Sequence, residues 1–111
     1  MEIQEQRQGA VSVIKPVGPL SADDAERFKE CLVEVLDRSL GRFVVDVSAV
    51  AYVDSTGLEA LVDVTEMLAE SGHALKLCAA NETLREVLDL TDLSKMFESF
   101  EDVNSAVRSF L

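Results

Sequence analysis

The chain is poor in the residues that build metal, redox and nucleic-acid sites. Only Cys31 and Cys78 are present, far apart and without a Cys-x-x-Cys step, and His73 is the single histidine. This excludes an obvious metal or redox motif. Cys31 falls on a helical apolar face and Cys78 in a strand pattern, so both are expected to be small core residues. Basic residues are scarce, 10 Lys and Arg against 21 Asp and Glu, which gives a net charge of −11. Phosphate backbones need clustered Lys and Arg, so nucleic acid is not an expected partner. An acidic surface suits a basic protein partner and also keeps a small protein soluble. Tryptophan is absent, and the 2 prolines and 5 glycines form no rich tract. With 48% hydrophobic residues and no repeat or low-complexity segment, no long stretch is expected to be disordered. No run approaches the ~20 apolar residues of a membrane span. The start Met1-Glu2-Ile3-Gln4-Glu5 lacks the basic and apolar segments of a signal peptide, so a cytoplasmic protein without membrane insertion is expected.

What is present centres on residues 42–68. Phe43, Val44, Val45 and Val47 form a short β-branched run of the buried-strand type. After Asp54 the period changes: Leu58, Leu61, Val62, Thr65, Leu68 and Ala69 recur at three- and four-residue steps and draw a helical stripe. Between them lies Asp54-Ser55-Thr56-Gly57. Asp54, Ser55 and Thr56 are all capping residues, and Thr56 with Glu59 has capping-box spacing. The Ser55 hydroxyl therefore sits at or beside a helix N-terminus, where free N–H groups and the dipole favour an added anion such as phosphate. Gly57 has no side chain to hold another backbone away.

Tyr52-Val53-Asp54-Ser55-Thr56-Gly57-Leu58 after a valine-rich strand resembles the signature of STAS domains, most closely that of anti-sigma factor antagonists. The resemblance extends to the Gly18-Pro19-Leu20 turn and to Leu90–Phe97, and covers nearly the whole chain. It implies a regulator without enzymatic activity or cofactor. Its unphosphorylated form would bind an anti-sigma factor serine kinase, which frees a sigma factor, and phosphorylation at Ser55 would switch it off. A cognate phosphatase is the further partner implied. The partner surface would include Asp54, Ser55, Thr56, Gly57, Glu59 and Asp63, together with Gly18 and Ser21. Relatives of this type commonly carry an acidic residue after the Gly-x-Leu turn; here that position is Ser21, with Asp23 and Asp24 following. The competing reading is a STAS regulatory or structural subunit of a transporter or stress-signalling complex, without a phosphoswitch.

In chain order, Ile3–Gln8 and Ala10–Lys15 read as an edge hairpin joined at Gly9, the second strand alternating Val11, Val13 and Val17, with Pro16 and Pro19 ending it. Ser21 caps a helix whose core face carries Ala25, Phe28, Leu32, Val35, Leu36 and Leu40, stopped by Gly41. Its other face, from Glu26 to Arg38, is of solvated type. Gly72 closes the helix after Ser55, and Ala74–Ala79 reads as the next strand. Asn81 caps a third helix with Leu84, Val87 and Leu88 inward. Met96–Phe100 alternates as a last strand, and Glu101 or Asp102 opens a terminal helix with Val103, Ala106, Val107 and Phe110 on one side. Strands alternating with helices from residue 21 predict parallel strands and right-handed crossovers. The expectation is one α/β domain over residues 1–111, a mixed sheet of four or five strands with four helices. The Asp54–Gly57 turn would lie at the carboxyl end of a central strand, where sites of such sheets collect.

Enzymatic readings find little support. A nucleophile elbow needs Gly-x-Ser-x-Gly, but residue 53 is Val, and His73 lies roughly 25 Å from Ser55 at the far end of the helix. His73 is expected at the surface beside Gly72. Neither nucleotide-binding glycine motif occurs, and the lysines are scattered. Taken as spacing alone, the turn is a well-capped strand-to-helix connection.

Overall fold

The computed structural model describes residues Met1–Leu111. A five-stranded sheet has its strands in chain order: β1 (Glu2–Gln8), β2 (Val11–Val17), β3 (Phe43–Asp46), β4 (Leu75–Cys78) and β5 (Phe97–Phe100). β1 and β2 are antiparallel, and every later pairing is parallel. Three helices connect them, α1 (Ala22–Ser39), α2 (Ser55–Glu70) and α3 (Glu82–Leu90), and α4 (Val103–Arg108) follows β5. The expected mixed α/β sheet is borne out.

Both faces of the sheet are covered, which is why the β3 residues Phe43, Val44, Val45 and Asp46 are all buried rather than alternating. On one face Ile14, Phe43, Val45, Leu75, Leu77 and Phe97 pack with Phe28 and Leu32 of α1, Leu61 and Val64 of α2, and Leu84 and Leu88 of α3. On the other, Val11, Val13, Val44 and Cys78 pack with Ala106 of α4. Each fully buried Leu or Phe contributes about 1.5–3 kcal/mol, so the larger cluster holds the domain together.

Several local expectations are corrected. Pro16 does not end the second strand; it lies inside β2, opposite Ile3. The Ser12 N–H bonds to Arg42 O, so even-numbered residues of β2 direct their N–H toward β3. The β2–β3 register stops at Ile14↔Val45, beyond which no donor is needed, and proline costs nothing there. The same alternation places Val11 and Val13 on the α4 side and Ile14 in the main cluster. Leu40 is 79% exposed and not part of the α1 core face. It takes the left-handed C-cap at φ 55, which turns its side chain away from the sheet, and Gly41 follows at φ 85 with its N–H reaching back to Leu36 O, so the glycine completes the stop as expected.

The buried stripe of α2 is Gly57, Ala60, Leu61, Val64, Thr65 and Leu68, with Ala69 exposed, because close docking at Gly57 rotates the helix from the face the leucines suggested. Met96 belongs to a 3-10 turn (Ser94–Met96) before β5. Cys78 is buried, but Cys31 is half-buried at the edge of the core. Asn81 and Asp102 cap α3 and α4, accepting from the N–H of Leu84 and Ser105 at 2.8 and 2.7 Å. His73 is exposed as expected, its ring resting against Gly41.

Candidate functional site

The sequence leaves three capping candidates before α2; the structure selects Asp54. In extended conformation, Asp54 accepts the Gly57 N–H on Oδ1 at 2.8 Å. The capping box between Thr56 and Glu59 does not form, because Thr56 lies two residues past the Asp54 cap, inside the helix; both side chains are exposed and without intrachain hydrogen bonds. Asp54 also accepts the Ala22 N–H on Oδ2 at 2.8 Å. Ser21 occupies the N-cap position of α1, as predicted, yet its hydroxyl does not cap. One carboxylate therefore serves both helix starts, and the positive ends of two helix dipoles converge on it.

The Gly18–Ser21 segment is brought against this turn. The Gly18 N–H reaches Ala49 O at 3.0 Å, the Leu20 N–H reaches Tyr52 O at 3.0 Å, and the Asp54 N–H returns to Leu20 O at 3.1 Å. Leu20 and Val53 form a parallel bridge, so the two segments run together as a continuation of the β2–β3 direction. Gly57 makes the approach possible: a Cβ there would lie 2.5 Å from Leu20 O and 2.8 Å from a Val53 methyl.

Ser55 is the first residue of α2, exposed, and its hydroxyl makes no hydrogen bond within the chain. Of the first-turn amides that of Gly57 is taken by the cap, and those of Ser55 and Thr56 have no hydrogen-bond partner within the chain. Between α1 and α2 runs a shallow groove of ≈ 190 Å³ lined by Ala22, Glu26, Lys29, Thr56, Glu59 and Asp63, among others. Lys29 is held by Asp63 at 3.1 Å, an exposed pair. Glu59, Asp63, Glu66 and Glu70 recur along the exposed side of α2 and form an acidic ridge leading away from Ser55. Of the residues predicted for a partner surface, Ser21, Asp54, Ser55, Thr56 and Gly57 lie at the two joined helix starts, Gly18 sits further back in the companion loop against Ala49, and Glu59 and Asp63 follow one and two turns along α2.

Tyr52 was not singled out by residue pattern, yet it is 53% exposed, three residues before Ser55. Its signal was a lone aromatic in the segment Ala49–Val53, which is otherwise alanine and valine. No cluster of three or more His, Cys, Asp or Glu is arranged to hold a metal ion, and no helix is long and apolar enough to cross a membrane. Burial pushes the Cys78 thiol up to about 12, with Asp46 adding to the effect, and burial raises Cys31 as well, so neither thiol is activated.

The STAS domain family model matches residues 2–106. A Thermotoga maritima protein, whose name assigns it by inference as an anti-sigma factor antagonist, is 26% identical over 98 residues, 87% of each chain. The crystal structure of an anti-sigma factor antagonist so assigned, from the same organism, superposes with a TM-score of 0.88 at 22% identity, covering 96% of this chain and 92% of that one. The Bacillus cell-fate determinant SpoIIAA in its phosphorylated form has a TM-score of 0.73 at 15% identity, covering 99% of this chain and 100% of that one. A sulfate transporter family protein from Wolinella succinogenes shares the fold at a TM-score of 0.78 and 22% identity, covering 92% of this chain and 85% of that one. At these identities the solved structures establish shared architecture only. With the family model spanning almost every element from β1 to α4, the chain belongs to the STAS domain family.

Proposed function

We propose that this chain is an anti-sigma factor antagonist. Its unphosphorylated form binds an anti-sigma factor of the serine-kinase type in the cytoplasm, and phosphate on Ser55 ends the interaction. The observation that carries the reading is the exposed Ser55 hydroxyl, free of intrachain bonds, at the start of α2 beside two unpaired amides. The neighbouring Asp54 carboxylate is already held by two N–H groups. A phosphate carrying roughly −1.5 to −2 charge can be accepted by the helix N-terminus without rearranging the fold. Binding is the part that would change. One desolvated like-charge contact costs several kcal/mol, against the ~1.4 kcal/mol that shifts affinity tenfold.

The named relative from Thermotoga maritima supports the general role, and the chain's own surface supports the partner's chemistry. The exposed Tyr52 is an aromatic of the type that anchors interfaces, and the acidic ridge from Glu59 to Glu70 favours a basic docking face. Asp54 and Gly57 build the turn, Gly18 and Ser21 its companion loop, and Thr56, Glu59 and Asp63 supply the groove wall.

The test uses wild type and Ser55→Asp as paired baits in extract of the native organism, followed by phosphosite mapping of the chain after incubation with any captured kinase and ATP. A small ATP-binding kinase retained by wild type, lost with Ser55→Asp, and phosphorylating Ser55 supports the proposal. Equal capture of a transporter or scaffold by both baits replaces it with the subunit role.

A further inference from the structure

The first strand leaves one side of its backbone unused. β1 is a regular run of seven residues at the sheet edge, Glu-Ile-Gln-Glu-Gln-Arg-Gln, with no proline, no lysine and no bulge in its register with β2. Proline, lysine and bulges are among the devices that blunt an open edge; the charges present here, Glu2, Glu5 and Arg7, are of both signs. Because even-numbered residues of β2 direct their N–H toward β3, the odd-numbered ones bond to β1, and the hydrogen-bonded partners are Glu2↔Val17, Gln4↔Lys15, Gln6↔Val13 and Gln8↔Val11. The N–H and C=O groups of Ile3, Glu5 and Arg7 consequently face outward. Their side chains lie on the α1 side, where Glu5 accepts two bonds from Arg38, and the glutamines line the opposite face.

We propose that this edge pairs antiparallel with the same strand of a second copy, centred on Gln6. A two-fold axis through Gln6 sets Glu5 against the partner's Arg7, and Arg7 against the partner's Glu5. Those two pairs are the ones whose outward N–H and C=O groups meet, and each exchanges two backbone hydrogen bonds. On the other face Gln6 meets its own copy and Gln4 meets the partner's Gln8. The neighbouring registers are worse. Centring on Glu5 opposes two carboxylates, and centring on Gln4 places Glu5 against Ile3 and carries Arg7 past the strand end. The sheet becomes ten-stranded across the two-fold axis. The strand is short and each chain carries −11, so the pairing is weak and concentration-dependent.

Arg7 is exposed, makes no intrachain ion pair, and has its N–H on the open side, so Arg7→Glu and Arg7→Pro alter the edge without breaking the β1–β2 ladder. Sedimentation velocity over a wide concentration range should show wild type rising from the mass of one chain toward two. Amide exchange should show Glu5 and Arg7 gaining protection over the same range, while Ile3, opposite the partner's turn, does not. Each variant should weaken association by about tenfold or more. A wild type that stays at the mass of one chain throughout overturns the proposal. So does a dimer that persists in both variants, or one in which the Glu5 and Arg7 amides stay unprotected; in either case another surface, or another protein's edge, is the partner.

Discussion

Asp54 Oδ2 accepts the Ala22 N–H at 2.8 Å across 32 residues of sequence. The contact ties the start of α1 to the turn that carries Ser55, and it stands in for the hydroxyl cap that Ser21 does not make. Two helix N-termini thus depend on one carboxylate.

Removing that carboxylate should cost more than an ordinary cap. Asp54→Ala loses two caps, each typically worth ~1 kcal/mol, so a loss of about 2 kcal/mol is expected in urea unfolding. Asp54→Asn keeps one acceptor oxygen and should fall roughly midway. An Asn variant as stable as wild type would mean that one of the two contacts contributes nothing.

Gly57→Ala should reverse the sign usual for a helical glycine. In an open helix the change gains up to about 1 kcal/mol. Here the new methyl meets Leu20 O at 2.5 Å, a backbone atom that the bridge to Val53 holds in place. A destabilisation of roughly 1–3 kcal/mol is expected. A stabilised variant would show that the Gly18–Ser21 loop gives way freely.

Ser55→Asp should leave unfolding within about 0.5 kcal/mol of wild type, or raise it slightly, since an anion in the first turn is favourable. Thermal melts check this independently of any partner. A loss above ~1 kcal/mol would remove the argument that the site absorbs charge without refolding.

Cys78 predicts an alkaline limit. Its thiol is held protonated in the fold, up to about 12, whereas in the unfolded chain it ionises near its ordinary value of 9.0. The folded state then binds the extra proton, so the stability is fully present below pH 9 and is lost as pH rises from 9 toward 12. The slope attributable to this group is at most ~1.4 kcal/mol per pH unit. Cys78→Ala should start less stable, from the space it leaves beside Ala106, but decline less steeply over that range. Parallel slopes for the two proteins would show that Cys78 does not titrate in this window.

The sequence by itself determined the element order, the mixed α/β class and the place of the candidate site. Phe43–Val47 has no helical reading, Asn81 is a plain cap, the last helix starts at Glu101 or Asp102, and the change from strand to helical period at Asp54 locates the turn. Those signals are local, and propensity and capping act within a few residues. Tertiary structure decided what depends on contacts across the chain. Gly57 docking against Leu20 rotated α2 so that Ala60 and Val64, rather than Val62 and Ala69, face the core. The short β2–β3 register made room for Pro16 inside a strand. A helix start 32 residues upstream claimed the second oxygen of Asp54, a choice that no local spacing encodes because the donor and acceptor meet only after the sheet has formed.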